Sequence, residues 1–248
     1  MDVVILPGSA WLQAFFYGLA AVIVIAAGVL VKDASLRSGD SPQQAASLQG
    51  RYSIGATIWL FVVSAASYSG LLLPRGRPPL PFVLLVVSIF AVGVLIARST
   101  VGDRLARGLP FAALIGFQGF RLPLELAMHR AYTEGLMPIQ MSYSGRNFDI
   151  VTGITAIVLA IALRVTSVPR WVIQAWNVLG LVLLFNILGV AIASTPMFAY
   201  FGPERLNVWV MWMPYTLLPA VMVLAAGAGH LIVWRALSLR AASTPDLR

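Results

Sequence analysis

The chain has 248 residues, 59% of them hydrophobic and only 10% charged, with a mean hydropathy of +0.87, which is too apolar for a water-soluble domain and marks an integral membrane protein. Seventeen Lys and Arg against nine Asp and Glu leave a net charge of +8, an excess that the anionic inner surface of a bilayer accounts for without nucleic acid. The absence of cysteine excludes disulfides, iron–sulfur clusters, thiolate metal sites and cysteine nucleophiles.

A helix needs about 20 mostly apolar residues to cross the hydrocarbon core. By that measure the uncharged runs predict an all-α bundle of about seven transmembrane helices, forming one domain over residues 1–248. The amino terminus, Met1 to Ala10, carries Asp2 and no basic residue. It therefore lacks the positive region of a cleaved signal peptide, and the first span is expected to be retained. That span runs from Trp11 to Val31, and a polar loop containing Lys32, Ser38, Gly39 and Ser41 follows it. The second span covers Ser53 to Leu73 and ends in the tight turn Pro74-Arg75-Gly76-Arg77-Pro78-Pro79; the third covers Leu80 to Ala97. The fourth, Leu109 to Glu134, is the most polar, and the fifth covers Phe148 to Leu163. The sixth spans Trp171 to Ala193 and the seventh Val208 to Trp234, with Pro214 and Pro219 expected to bend it. The tail from Ala236 to Arg248 is short and polar and is expected to fray.

Alternating spans sort the basic residues into two sets. Lys32, Arg37, Arg51, Arg98, Arg104, Arg107, Arg164, Arg170, Arg235, Arg240 and Arg248 fall on one side. Arg75, Arg77, Arg130, Arg146 and Arg205 fall on the other, and Arg121 lies within the membrane. The positive-inside rule then puts the amino terminus outside and the carboxyl terminus in the cytoplasm. Trp11, Trp209 and Trp212 near the outer boundary, with Trp171 and Trp234 near the inner one, would form aromatic belts.

The fourth span carries the chemistry. On a helical projection Gln118, Arg121, Glu125 and His129 fall within a stripe about 80° wide, opposite a face of Phe, Leu, Ala and Met. With a helix start near Pro110, Gln118 and Arg121 lie near mid-bilayer. A central arginine costs about 2.5 to 3.5 kcal/mol on insertion scales, so it needs a partner and a polar or interior environment. Glu125, one turn on, is the expected partner. Pro123 offers no amide to the Gly119 carbonyl, which predicts a kink beside Arg121. Broken helices beside embedded charges are a recurring way to build mid-membrane binding sites, while a buried ion pair that only locks the bundle is the structural alternative.

The outer loop that follows is rich in polar and aromatic groups, and Arg146, Asn147 and Asp149 are candidates to close over the stripe. The alternative is that Asn147 caps the fifth helix, Asp149 complements its dipole and Gly145 makes a turn. In the sixth span, Asn177 lies near the inner boundary as an interfacial residue, whereas Asn186 is deeper and expected to meet the fourth span, chiefly as an interhelical hydrogen-bonding group. Tyr215, at the depth of His129, completes the candidate pocket, with satisfaction of a backbone carbonyl as its alternative role.

The segments Gly119-Phe120-Arg121-Leu122-Pro123-Leu124-Glu125, Glu134-Gly135-Leu136-Met137-Pro138 and Gly145-Arg146-Asn147-Phe148-Asp149 resemble a group of bacterial multi-pass membrane proteins without known function. The resemblance covers about 35 residues of this sequence. It implies that these segments act as a unit and implies nothing about activity or ligand.

Several functions are excluded. The single lysine, Lys32, is at the inner end of the first span, where no retinal linkage from the last span can form. His129 and His230 lie at different expected depths, which rules against bis-histidine haem. Glu125, His129 and Glu134 are too few and too spread for metal catalysis. No phosphate loop, nucleophile elbow or aspartate-rich motif is present. Neither cofactor nor metal is therefore expected. The leading expectation is a bacterial inner-membrane protein, with the lipid bilayer as its surroundings, that binds or transports a small polar or anionic molecule. In it Arg121 holds the ligand, Glu125 orients Arg121, and His129 gates or relays a proton. The alternatives are a structural subunit with a membrane-protein partner or a second copy of itself, and an intramembrane lipid-modifying enzyme using Glu125 and His129 as an acid–base pair.

Overall fold

A computed structural model describes residues 7–74 and 80–242, and every regular element among them is helical. The expected turn with Arg75 and Arg77, together with Asp2 and Arg248, lies outside the described residues. Among the described residues four helices are long and apolar enough to cross a membrane: Ala10–Arg37, Leu80–Arg98, Arg170–Ala193 and the stretch Leu218–Ala241. Ile150–Val165 is apolar but shorter.

α1 (Ala10–Arg37) starts at the cap Ser9, whose hydroxyl accepts the Leu12 amide, and runs past the apolar segment through Lys32 and Asp33. The i,i+4 pair Asp33–Arg37 supports this polar end. α2 (Pro42–Tyr68) begins with a capping box in which Ser41 and Gln44 exchange hydrogen bonds, with Pro42 at the first helical position. The expected long polar loop is therefore two helical ends joined by residues 38–41. Strong capping signals propagate the helix beyond the hydrophobic run. They also make the first half of α2 polar, with Gln43, Gln44, Gln49 and Arg51.

α3 (Leu80–Arg98) is followed by a short helix absent from the expected order, α4 (Thr100–Gly108), capped by Ser99. α4 presents Asp103 to Arg235, Arg104 to Asp40 and Arg107 back to Asp103. Arg240 reaches the Leu109 carbonyl and Arg170 the Leu237 carbonyl, so these basic side chains tie one end of the bundle together. At the opposite end the Ser9 amide and hydroxyl both donate to Glu134, each at 2.8 Å.

The fourth segment is not one helix. α5 (Phe111–Gly116) leads into a 3-10 turn at Phe117–Phe120, and α6 (Arg121–Thr133) follows. α7 (Ile150–Val165) and α8 (Arg170–Ala193) lie close to their expected limits. The last segment departs most. Trp209–Met211 forms a 3-10 turn, Leu218–Val223 is a π-helical stretch with Pro219 in its second position, and α9 runs Leu224–Ala242. Trp209 and Trp212 are buried in the core beside Phe16 and Tyr215 and so form no outer belt, whereas Trp11, Trp171 and Trp234 are exposed. The tail does not fray up to Ala242: Ala236 and Leu237 are buried against α4 and α5 residues.

Candidate functional site

The break in the fourth segment is where Pro123 acts. Pro123 is the third residue of α6 and has no amide for the Gly119 carbonyl. The preceding turn tightens to 3-10 geometry, with the Arg121 amide bonding the Gln118 carbonyl. Arg121, the first residue of α6, is 1% exposed.

Its partner is Asp149, not Glu125. Arg121 Nε donates to Asp149 Oδ2 at 2.7 Å, and Nη2 faces Oδ1 at 2.5 Å, forming a two-pronged ion pair. Asp149 occupies the N-cap position of α7, and the Thr152 hydroxyl donates to its Oδ1 at 3.1 Å. Backbone packing explains the choice. A Cβ built on Gly153 would lie 2.4 Å from the Leu122 amide nitrogen, so only glycine lets α7 approach α6 closely enough for Asp149 to meet Arg121. Glu125 turns instead to Asn147, whose Nδ2 donates to it at 2.7 Å and to the Met141 carbonyl at 3.1 Å. Asn147 Oδ1 accepts the Asp149 amide at 3.0 Å. Asn147 thus organises the loop before α7 and joins the two carboxylates into one buried network, in place of the simple capping role.

The third face of Arg121 is met by a residue that sequence reasoning placed elsewhere. Nη1 lies 2.8 Å from His230 Nε2, and His230 Nδ1 lies 2.9 Å from Asn177 Oδ1. A guanidinium only donates, so Nε2 accepts and His230 is the neutral tautomer with its proton on Nδ1, directed at Asn177. Asn177 Nδ2 returns to the His230 carbonyl at 3.3 Å. Both residues are fully buried. The missed assignment has a definite cause. The last helical stretch long and apolar enough to cross a membrane is Leu218–Ala241 in place of the expected Val208–Trp234, so His230 falls in the middle of that stretch, facing Arg121. Asn177, accordingly, is a core group and not an interfacial one. Gly180 provides the space: a Cβ there would lie 2.3 Å from the His230 ring.

The other expected site residues separate. Gln118 is fully buried and donates to the Ala226 carbonyl at 3.2 Å, while its Oε1 has no hydrogen-bond partner among the described residues. His129 is half-buried, stacks on Tyr143 at 4.5 Å, and contacts the Ser142 and Ser144 hydroxyls at 3.0 and 3.2 Å. Glu125 and His129 therefore engage different partners and do not form an acid–base pair. Arg146 covers the Phe201 ring at 5.3 Å, away from Arg121. Asn186 is exposed and donates to the Arg146 carbonyl at 2.8 Å, so it meets the loop before α7 and not the fourth segment. Tyr215 is buried and donates to the Pro7 carbonyl at 2.7 Å, the carbonyl-satisfying role.

Beside the network lies a cavity of about 80 Å³, walled by Arg121, Glu125, Asn147, Asp149, Thr195 and Asn207 together with apolar side chains. One water needs roughly 10–15 Å³ on this measure, so the cavity has room for several waters or one small solute. Asn207 is 2% exposed, and its Oδ1 has no hydrogen-bond partner among the described residues. A buried amide oxygen left unpaired costs about 1–3 kcal/mol, which favours an occupant that donates to it. Among the described residues no group of three His, Asp or Glu side chains could hold a metal ion.

No protein-family model, no characterised protein and no solved structure matches this chain.

Proposed function

We propose that this chain is a seven-crossing protein of a bacterial inner membrane, with its amino terminus outside and carboxyl terminus in the cytoplasm, that binds or transports a small polar molecule. The broken segment from Phe111 to Thr133 is about 34 Å long at helical rise, enough for a hydrocarbon core of about 30 Å. The 27-residue α2 has a comparable reach. The clustering of Arg104, Arg107, Arg170, Arg235 and Arg240 at one end favours the orientation through the positive-inside rule.

The observation that carries the functional reading is the unpaired, buried Asn207 Oδ1 in a cavity shared with Arg121, Glu125 and Asn147. Asp149 already neutralises Arg121, so the ligand in this reading is a neutral hydrogen-bond donor held by Asn207 and Glu125. Arg121 then acts as a fixed element of the wall, in place of the anion holder expected from sequence. One observation favours the reading as a structural subunit: along the chain Asp149–Arg121–His230–Asn177 each side chain meets another protein group, and Asn177 ends it on the His230 carbonyl.

Accessibility separates the two readings. Thr195→Cys and Asn207→Cys, introduced singly into this cysteine-free chain, are exposed in intact cells to a membrane-impermeant thiol reagent, with Leu126→Cys on the exposed apolar face as control. Labelling at both cavity positions and not at Leu126 supports an outward-opening polar pocket. Silence at both, with full labelling after denaturation, supports a closed structural core. A reporter fused after Arg248 tests the orientation.

A further inference from the structure

A second, larger cavity lies outside the polar site. It has a volume of about 480 Å³ and runs between α1, α2, α3 and α9, including the π-helical stretch before α9. Its wall on α2 extends from Leu48 to Leu60, about 18 Å at helical rise, and on the last segment it extends over the same length from Ala220 to Ile232. The space is therefore a slot along the helix axes, narrow for its length.

Its two ends differ. At the deep end Trp59 lines the slot and donates its indole N–H to the Ala220 carbonyl at 2.8 Å, closing it without a free polar group. At the other end stand Arg51, Ser99 and Thr100, the last two at the start of α4. Arg51 is exposed and makes no hydrogen bond or ion pair among the described residues. This is the end where Arg104, Arg235 and Arg240 gather. Between the ends the wall is almost wholly apolar, and the Tyr52 hydroxyl there already donates to the Val24 carbonyl at 3.1 Å, so water finds little to bond. A void of this size forfeits the dispersion contacts that a packed bundle makes, and an apolar chain restores them.

We propose that the slot holds one acyl chain of an anionic phospholipid, with its phosphate group at Arg51 and the first amides of α4. A guanidinium and a helix N-terminus both favour a phosphate oxygen, and the slot accommodates an extended chain. On the orientation argued above, this end faces the leaflet whose surface is anionic. The site is separate from the Arg121 network and stands whether or not that network binds a solute.

The test uses the full-length protein in detergent, titrated with brominated-chain phosphatidylglycerol or brominated-chain phosphatidylcholine. Bromine quenches nearby tryptophan fluorescence, and the Trp59 signal is taken as the difference between the natural protein and Trp59→Phe. Gly55→Phe plugs the slot: a Cβ on Gly55 meets nothing within 4 Å, so the variant should fold, and thermal melting verifies it. The expected result is saturable quenching of Trp59 by about one equivalent of the anionic lipid. That quenching should be lost in Gly55→Phe and shifted to about ten-fold weaker affinity in Arg51→Gln, the scale of one lost charge-assisted hydrogen bond. Equal quenching in Gly55→Phe overturns the slot, and equal affinity for the two lipids overturns the headgroup assignment. An absence of saturable quenching overturns both.

Discussion

Arg121 and Asp149, 28 residues apart, meet across the α6–α7 contact through two nitrogen–oxygen contacts of 2.7 and 2.5 Å, with both side chains almost completely buried. Removing one partner of such a pair leaves an uncompensated buried charge, at a cost of about 3–5 kcal/mol. Arg121→Ala and Asp149→Ala are therefore each expected to destabilise strongly. Glu125→Gln, which still offers an oxygen to Asn147, costs less. Thermal unfolding in detergent checks the order, and a double-mutant cycle on Arg121 and Asp149 should return a large coupling. Equal melting temperatures for Arg121→Ala and Glu125→Gln would overturn this assignment of partners.

Gly153 is the backbone counterpart of that pair. In Gly153→Ala the new methyl strikes the Leu122 amide at 2.4 Å and the Arg121 carbonyl carbon at 3.0 Å, both backbone atoms that cannot step aside. The helices must separate, at a cost of about 1–3 kcal/mol, and the ion pair lengthens. Gly55→Ala, in open space, should be neutral or gain up to about 1 kcal/mol from helix propensity. Unfolding midpoints of the two variants should move in opposite directions or, at the least, differ clearly.

His230 is expected to remain a neutral Nδ1–H imidazole, because Arg121 can only donate to Nε2. Nitrogen-15 NMR of histidine-labelled protein distinguishes the protonated nitrogen from the bare one, and His129 serves as the half-buried comparison. Asn177→Leu removes the acceptor for Nδ1 and should destabilise by about 1–3 kcal/mol through the unsatisfied N–H. A His230 signal with both nitrogens protonated would contradict the Arg121 contact.

Much of this was legible from one sequence, and the remainder was hidden for identifiable reasons. Helical periodicity and apolar length carried the all-helical class and most of the limits of α3, α7 and α8. The stripe containing Gln118, Arg121 and Glu125 did mark buried polar positions, and Pro123 did mark the break. Helical spacing, however, favours partners one turn away, so Glu125 outranked Asp149, whose contact depends on a close approach at Gly153 that no periodicity reveals. His230 was lost because Trp209 and Trp212 read as boundary aromatics. Both are buried, and the last stretch long and apolar enough to cross a membrane starts ten residues later than expected, at Leu218. The lengths of α1 and α2 were underestimated because hydropathy tracks the bilayer, whereas the Ser41 capping box sets the helix start.

Asp40, in the turn between α1 and α2, provides a pH-dependent lock on the basic end. The Ser35 hydroxyl donates to its carboxylate, and Arg104 grips it with Nε at 2.7 Å and Nη2 at 2.8 Å. These bonds hold its carboxyl below the ordinary aspartate value, the Ser35 hydrogen bond first and the Arg104 hydrogen bond next. A folded-state value below the unfolded one means that the contribution is fully present above the unfolded value of about 3.9. It fades as pH falls through the lower, folded value. Asp40→Asn lacks this dependence. The difference in melting temperature between the natural protein and Asp40→Asn should hold steady from about pH 7 to 5 and shrink as the pH drops below about 4. Other carboxylates titrate equally in both proteins and cancel in the difference. A gap that widened on acidification would mean that Asp40 is strained by its neighbours and not stabilised by Ser35 and Arg104.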